Sequence, residues 1–224
     1  MEVVYEDNHI IIVNKRPGEI VQGDKTGDTP LVETVRQYIK ETYAKPGNVF
    51  CGLVHRIDRP VGGLVVFAKT SKALTRMNEL FRHGDVHKTY WAIVQGRPKQ
   101  PEAHLTHYIT SVERNNKSYA SLRPKEGASR SELIYRTLAE GENYTLLEID
   151  LITGRKHQIR VQLSTTGTPI KGDLKYGAPR SNPDGGISLH ARSIEFVHPV
   201  SKEAINVSAP VPTDNLWKAL TENL

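Results

Sequence analysis

Between residues 89 and 151, five strand-like stretches follow one another with no helical period between them. Residues 89–94, 104–110, 118–122, 131–138 and 144–151 are rich in β-branched and aromatic side chains. In the last of them Leu147, Ile149 and Leu151 alternate with Glu148 and Asp150. Two further stretches, 188–196 and 204–207, lie near the C-terminus, and 3–5 and 10–13 form a pair at the start, turned at Asp7-Asn8. Parallel strands need a crossover of a dozen or more residues, usually a helix, whereas antiparallel neighbours need only a turn. The predicted class is therefore α+β, a predominantly antiparallel mixed β-sheet with flanking helices, and not alternating βαβ units.

Few helices interrupt the strands. Thr29 and Pro30 predict an N-cap and first turn for a helix whose apolar face is Leu31, Val32, Val35, Tyr38 and Ile39; Lys45-Pro-Gly47 stops it. Thr70 or Ser71 predicts the cap of a second helix, with Ala73, Leu74, Met77, Leu80 and Phe81 inward and Gly84 as its stop. A short helix is expected near 216–220. The segment 157–163 is ambiguous. It alternates like a strand, yet Ile159 and Leu163 stand four apart and Gly167 offers a C-cap.

A chain of 224 residues, 38% of them hydrophobic, suffices for one large domain or two small ones. No repeat or Gly/Ser/Pro-rich linker divides it, so a single domain over 1–224 is expected. The lone Cys51 excludes an internal disulfide framework and fits a reducing cytoplasm. No basic, apolar leader opens the chain, and no apolar run approaches 18 residues, so neither export nor a membrane span is expected. The net charge of +5 and a pI of about 9.2 suit a polyanionic partner. Arg114, Lys117, Arg123, Lys125 and Arg130 form one basic group; Lys171, Lys175 and Arg180 form another. Each also fits a solvated face. With Arg56, Arg59, Arg155 and Lys156 they make a candidate track for phosphates.

The chemistry concentrates at 52–70. His55-Arg56-Ile57-Asp58-Arg59 sets a carboxylate between two arginines, Pro60, Gly62 and Gly63 shape a turn, and Leu64 to Ala68 reads as a buried strand. A lone Asp on a rigid turn beside a sheet is a way to present a reactive group. The same composition also fits a charged surface loop with one ion pair. The nine histidines do not form a metal site: no HExxH occurs, Gly84 separates His83 from His87, and on a strand His104 and His107 face opposite sides. Cys51 reads as a buried thiol, not a nucleophile.

Residues 55–64 resemble the H-R-L-D-R-x-T-S-G-L signature of the RluA family of pseudouridine synthases, with Ile57 for Leu and Val61-Gly62-Gly63 where Thr-Ser-Gly is usual. Residues 5–15 resemble the family's opening strand pair. Lys88-Thr-Tyr-Trp-Ala-Ile-Val-Gln-Gly96 resembles its K-x-Y-x-A-x-V-x-G element. Thr153-Gly-Arg-Lys-His-Gln-Ile-Arg160, Gly172-Asp173 and Tyr176-Gly177 resemble its third motif, and 188–191 and 196–199 complete the ordered set. The resemblance covers nearly the whole chain. It implies the pseudouridine synthase fold, with 157–163 as a helix.

It also implies an activity: isomerisation of uridine to pseudouridine in ribosomal or transfer RNA, without cofactor or metal. The resemblance makes Asp58 the essential carboxylate, whether it attacks the ribose, attacks the base or removes a ribose proton. It makes Arg160 the paired cation that a carboxylate shielded by a bound base requires. Tyr90 would stack on the uracil and take the C5 proton; as plain sequence it also fits a core aromatic. Arg56 would enter the RNA stack vacated by an extruded base, and Ile159 would wall the base. Arg155 and Lys171 are candidate substrate contacts. Many members carry an N-terminal S4 RNA-binding domain; this chain opens on the catalytic strand pair, so that domain is expected to be absent, and the protein to be a monomer needing no protein partner. Two rivals remain at this point. A catalytically silent RNA-binding or ribosome-assembly protein on the same fold is disfavoured by intact Asp58, Tyr90 and Arg160. A carboxylate-based hydrolase of nucleosides or glycosides commonly needs two working carboxylates, and no second acid stands out near Asp58. Loss of the usual Thr and Ser removes two hydroxyls that brace the turn.

Overall fold

The computed structural model describes residues 1–224. The chain is α+β and falls into two compact units, the first made of Met1–Val86 with Ala191–Pro210 and the second of His87–His190 with Val211–Leu224.

The first unit holds strands β1 (Glu2–Glu6), β2 (Ile10–Lys15), β3 (Gly52–Leu53) and β4 (Gly62–Ala68), most of β10 (Leu189–Val197), and β11 (Ala204–Ser208), with helices α1 (Leu31–Thr42) and α2 (Ser71–His83). The order is β1-β2-β4-β10, with β3 on β4 and β11 on β10. Ile10 to Val13 and the whole of β4 are buried. They lie inside, covered on both faces, and so read as unbroken apolar runs instead of alternating ones. Ala73 and Met77 of α2 pack on Ile10, Ile12, Leu64 and Val66. Both ends of α2 match the sequence expectation: the Ala73 N–H donates to Thr70 Oγ1 at 3.1 Å, and Gly84 closes the helix at φ 81°. At α1 the expected Thr29 cap gives way. The helix begins at Leu31 without a side-chain cap, because the Leu31 and Val32 N–H groups donate to the Ile20 and Val21 carbonyls at 2.8 and 3.2 Å.

The second unit holds β5 (His87–Gln95), β6 (Glu102–Val112), β7 (Lys117–Ser121), β8 (Ser129–Glu140) and β9 (Tyr144–Leu151), with α3 (Gln158–Thr165) and α4 (Asn215–Thr221). The strand order is β5-β9-β8-β6-β7, each neighbour antiparallel. Trp217 and Leu220 of α4 pack on Ile93 and Leu146. The ambiguous segment is a helix, and its ambiguity has a physical cause. Every residue from Gln158 to Leu163 is buried, so no polar face betrays a 3.6-residue period.

Candidate active site

In the first unit, Asp58 sits half-buried on the connection from β3 to β4, with Arg56 exposed beside it and Ile57 buried. The Val61 N–H donates to the Asp58 carbonyl at 3.0 Å, closing the turn over Pro60. Three devices hold this turn. The Val66 N–H donates to His55 Nε2 at 3.0 Å, and the His55 ring stacks on Phe81 of α2 with centroids 4.9 Å apart. Gly63 has φ +108°, and a Cβ there would meet the Ala191 carbonyl oxygen, lying 2.5 Å from its nitrogen and 2.8 Å from its carbonyl carbon. Only glycine fits this approach of backbone to backbone. The third device is Lys15, 1% exposed. Its ammonium donates to the carbonyls of Arg16 (3.0 Å), Glu19 (2.8 Å) and Arg59 (3.0 Å), while the Gly18 N–H donates to the same Arg59 carbonyl at 2.8 Å.

Lys15 thus ties the 16–19 turn to the residue after Asp58. Burial pushes it down to about 8, against an opposing pull from the charges of Glu19 and Asp58. Arg59, flanking Asp58 in sequence, pairs with Asp28, Nη2 to Oδ2 at 2.7 Å.

In the second unit, β5 carries Tyr90, 8% exposed, opposite Ile149 of β9. Alternation puts Lys88, Tyr90 and Ala92 on one face; on the other, Trp91 Nε1 donates to Glu148 at 3.1 Å and Ile93 meets Trp217. Burial lowers the Lys88 ammonium. Its Nζ lies 3.8 Å from where a Cβ on Gly154 would stand, so the 153–156 loop passes close over it.

That loop is braced by Gln158. Gln158 Oε1 accepts from Thr153 Oγ1 (2.8 Å) and the Arg155 N–H (3.0 Å), and its Nε2 donates to the Glu132 carbonyl at 3.0 Å. Arg155 and Lys156 stand exposed on it. One turn further, Ile159 and Arg160 are buried at 4% and 5% exposure. Arg160 is held by Asp173, Nε to Oδ2 at 2.7 Å and Nη2 to Oδ1 at 2.9 Å. Lys171 is half-buried and donates to Asn182 Oδ1 at 2.6 Å.

Elsewhere, burial pushes Cys51 up to about 12, which keeps it a thiol, and His87 and His104 lie beside Asp150 and Glu132. The residues that sequence reasoning missed are Lys15, His55 and Gln158 as braces. Lys15 carried no local signal, since the apolar run of β2 stops at Val13 and Asn14 stands between.

The RNA pseudouridylate synthase family model matches residues 9–165. Ribosomal large subunit pseudouridine synthase D of Xanthomonas campestris is 33% identical over 242 residues, covering 100% of this chain and 70% of that protein. Ribosomal large subunit pseudouridine synthase C of Vibrio cholerae is 34% identical, covering 98% of this chain and 68% of that protein. Coverage of other curated relatives drops to 65%, so the chain spans about two thirds of their length. The structure of human RNA pseudouridylate synthase domain containing 4 superposes with a TM-score of 0.80 over 96% of this chain and 90% of that one, at 24% identity, which speaks to the fold. With the ordered motifs of both units and these relatives together, the chain belongs to the RluA-type family of RNA pseudouridine synthases, whose members are isomerases of uridine in RNA.

Proposed function

We propose that this protein converts uridine to pseudouridine in ribosomal or transfer RNA, with Asp58 as the essential carboxylate. The observation that carries the proposal is the turn bearing Asp58: a half-buried acid locked by Lys15, His55 and Gly63, each acting on backbone. A surface loop with one ion pair needs no such fixing, whereas a carboxylate that must meet one atom of a bound nucleotide does. The curated relatives named for the ribosomal large subunit make its RNA the first substrate to test.

The reaction breaks the C1′–N1 bond, turns the uracil and joins C1′ to C5; the C5 proton leaves and N1 gains one, with no net redox change. Asp58 bonds to or deprotonates the nucleotide, and Arg160 is its cationic partner. Tyr90 stacks on the base and takes the C5 proton, and Ile159 walls it. Arg56 fills the gap left by the extruded base, at a cost of a few kcal/mol for extrusion. Arg155 and Lys171 contact phosphate. The reading takes the whole chain, residues 1–224, as one catalytic domain acting as a monomer. The single buried Cys51 suits a cytoplasmic setting.

The test is tritium release from unmodified large-subunit ribosomal RNA labelled at uridine C5. Wild type should release label and leave pseudouridine; Asp58→Asn should abolish both while RNA affinity stays within about tenfold. Sustained turnover by Asp58→Asn, with deamidation excluded, removes Asp58 from the reaction. Tight RNA binding by wild type without label release, on ribosomal and transfer RNA alike, would favour a silent RNA-binding protein.

A further inference from the structure

We infer that Asp173 and Tyr176 are positioning residues for Arg160, and that His157 locks Tyr176 in place; this rests on the role proposed above for Arg160. The geometry is closed within the second unit. Asp173, 1% exposed, takes one whole edge of the guanidinium, the Nε and Nη2 hydrogens, through both carboxylate oxygens. Two parallel bonds fix the plane of the group as well as its place. The Tyr176 ring lies under that plane, its centroid 5.0 Å from the guanidinium carbon. An arginine held on one edge and one face has both its plane and its direction fixed.

Tyr176 is itself immobilised at both ends. Its ring sits among Ile109, Val161 and Ala120. Its hydroxyl accepts the Ser118 N–H at 2.8 Å and lies 2.8 Å from His157 Nδ1. Burial pushes the phenol's pKa up, so a neutral hydroxyl faces Nδ1. His157, ring edge-on to Tyr176 at 87°, is the residue before α3 and holds a left-handed backbone at φ 55°. A non-glycine residue there is strained and persists only where its surroundings over-determine it. The bond to Tyr176 is such a constraint, and it sets the start of the helix that carries Arg160 three residues on. A buried ion pair is weak evidence for stability by itself. An ion pair joined to a cation–π stack and a strained helix start, all converging on one guanidinium, fits a group that must be aimed.

The test is a double-mutant cycle on the tritium-release rate, with melting temperatures measured for every variant. Asp173→Asn keeps shape and loses charge. In the wild-type background it should slow the bound-substrate rate by about 100-fold, the scale of a small misplacement of a catalytic group. In an Arg160→Lys background, whose ammonium cannot make the paired bonds, the same change should cost less than about threefold, because the two residues act as one. Tyr176→Phe, which keeps the ring and frees His157, should fall between, at about tenfold. His157→Asn, tolerant of the left-handed backbone, should lose rate but melt above His157→Ala. Full additivity of Asp173→Asn and Arg160→Lys would overturn the inference while leaving Arg160 in its role. An Arg160→Lys rate equal to wild type would overturn the role of Arg160 and this inference with it.

Discussion

The Asp58 turn and the Arg160 helix are fixed by opposite means. Around Asp58 the holding groups act on main chain: Lys15 on three carbonyls, His55 on the Val66 N–H, Gly63 by the absence of a side chain against Ala191. Around the Arg160 guanidinium side chain holds side chain: Asp173 and Tyr176 on the guanidinium, and His157 on Tyr176. A main-chain lock is indifferent to neighbouring side chains, so Val61-Gly62 stands where family members have Thr-Ser. A side-chain lock tolerates little, since each member needs its partner.

The comparison can be broken first at Gly63. Gly63→Ala sets a methyl against Ala191 and a left-handed backbone under it; unfolding in urea should show a loss of about 4 kcal/mol or more. A loss under about 1 kcal/mol would mean that the backbone lock yields. Lys15→Met comes next. It removes three charge-assisted hydrogen bonds, leaving the Arg16 and Arg59 carbonyls one backbone N–H each and the Glu19 carbonyl without the ammonium, and should cost about 3 kcal/mol, with turnover falling further than the melting temperature implies. Gln158→Leu, which strands the Arg155 N–H and leaves the Glu132 carbonyl only its Thr153 partner, should cost about 2 kcal/mol by the same measure. Its RNA affinity should drop with it, since Arg155 rides on that loop.

A pH profile sharpens the Lys15 lock. The unfolded chain holds that proton to about 10.5, whereas burial makes the folded chain release it from about 8. Between those values the unfolded state binds more protons, so this group makes stability rise with pH across the window. Turnover should move the other way by about tenfold, because a neutral amine has two hydrogens for three carbonyls. Lys15→Arg, which stays charged, should flatten the alkaline limb; an unchanged limb would detach it from Lys15. The smallest effect concerns salt. Arg155→Ala should reduce the slope of log affinity against log salt by about 0.7. Lys171→Ala should reduce it less, its ammonium being engaged by Asn182.

How far the sequence could be read follows the same division. Helix α2 was legible because Thr70 and Gly84 are local signals, and the Asp58 turn because Pro60, Gly62 and Gly63 lie beside it. The start of α1 was not, since its N–H groups use carbonyls of residues 20 and 21 across a loop. Lys15 reads as an ordinary surface lysine until the carbonyl of Arg59, 44 positions on, is placed beside it. Arg59 likewise finds its acid 31 positions back, at Asp28. The Arg160 brace lay between: Asp173 and Tyr176 stood in the motif, but no periodicity tells which side chain they hold.

The interleaved chain order of the first unit has a consequence during synthesis. β4 emerges early, yet its neighbour β10 comes only after residues 87–190 have been made. At about 5–20 residues per second that wait is about 5–20 s. For that time a seven-residue, wholly apolar strand has one edge largely uncovered, the kind of edge that recruits other chains. The nascent protein therefore passes through a stage in which its most buried strand is its greatest aggregation hazard. Slowing translation between β5 and β10 should lower soluble yield, and it should do so without changing the stability of the molecules that finish.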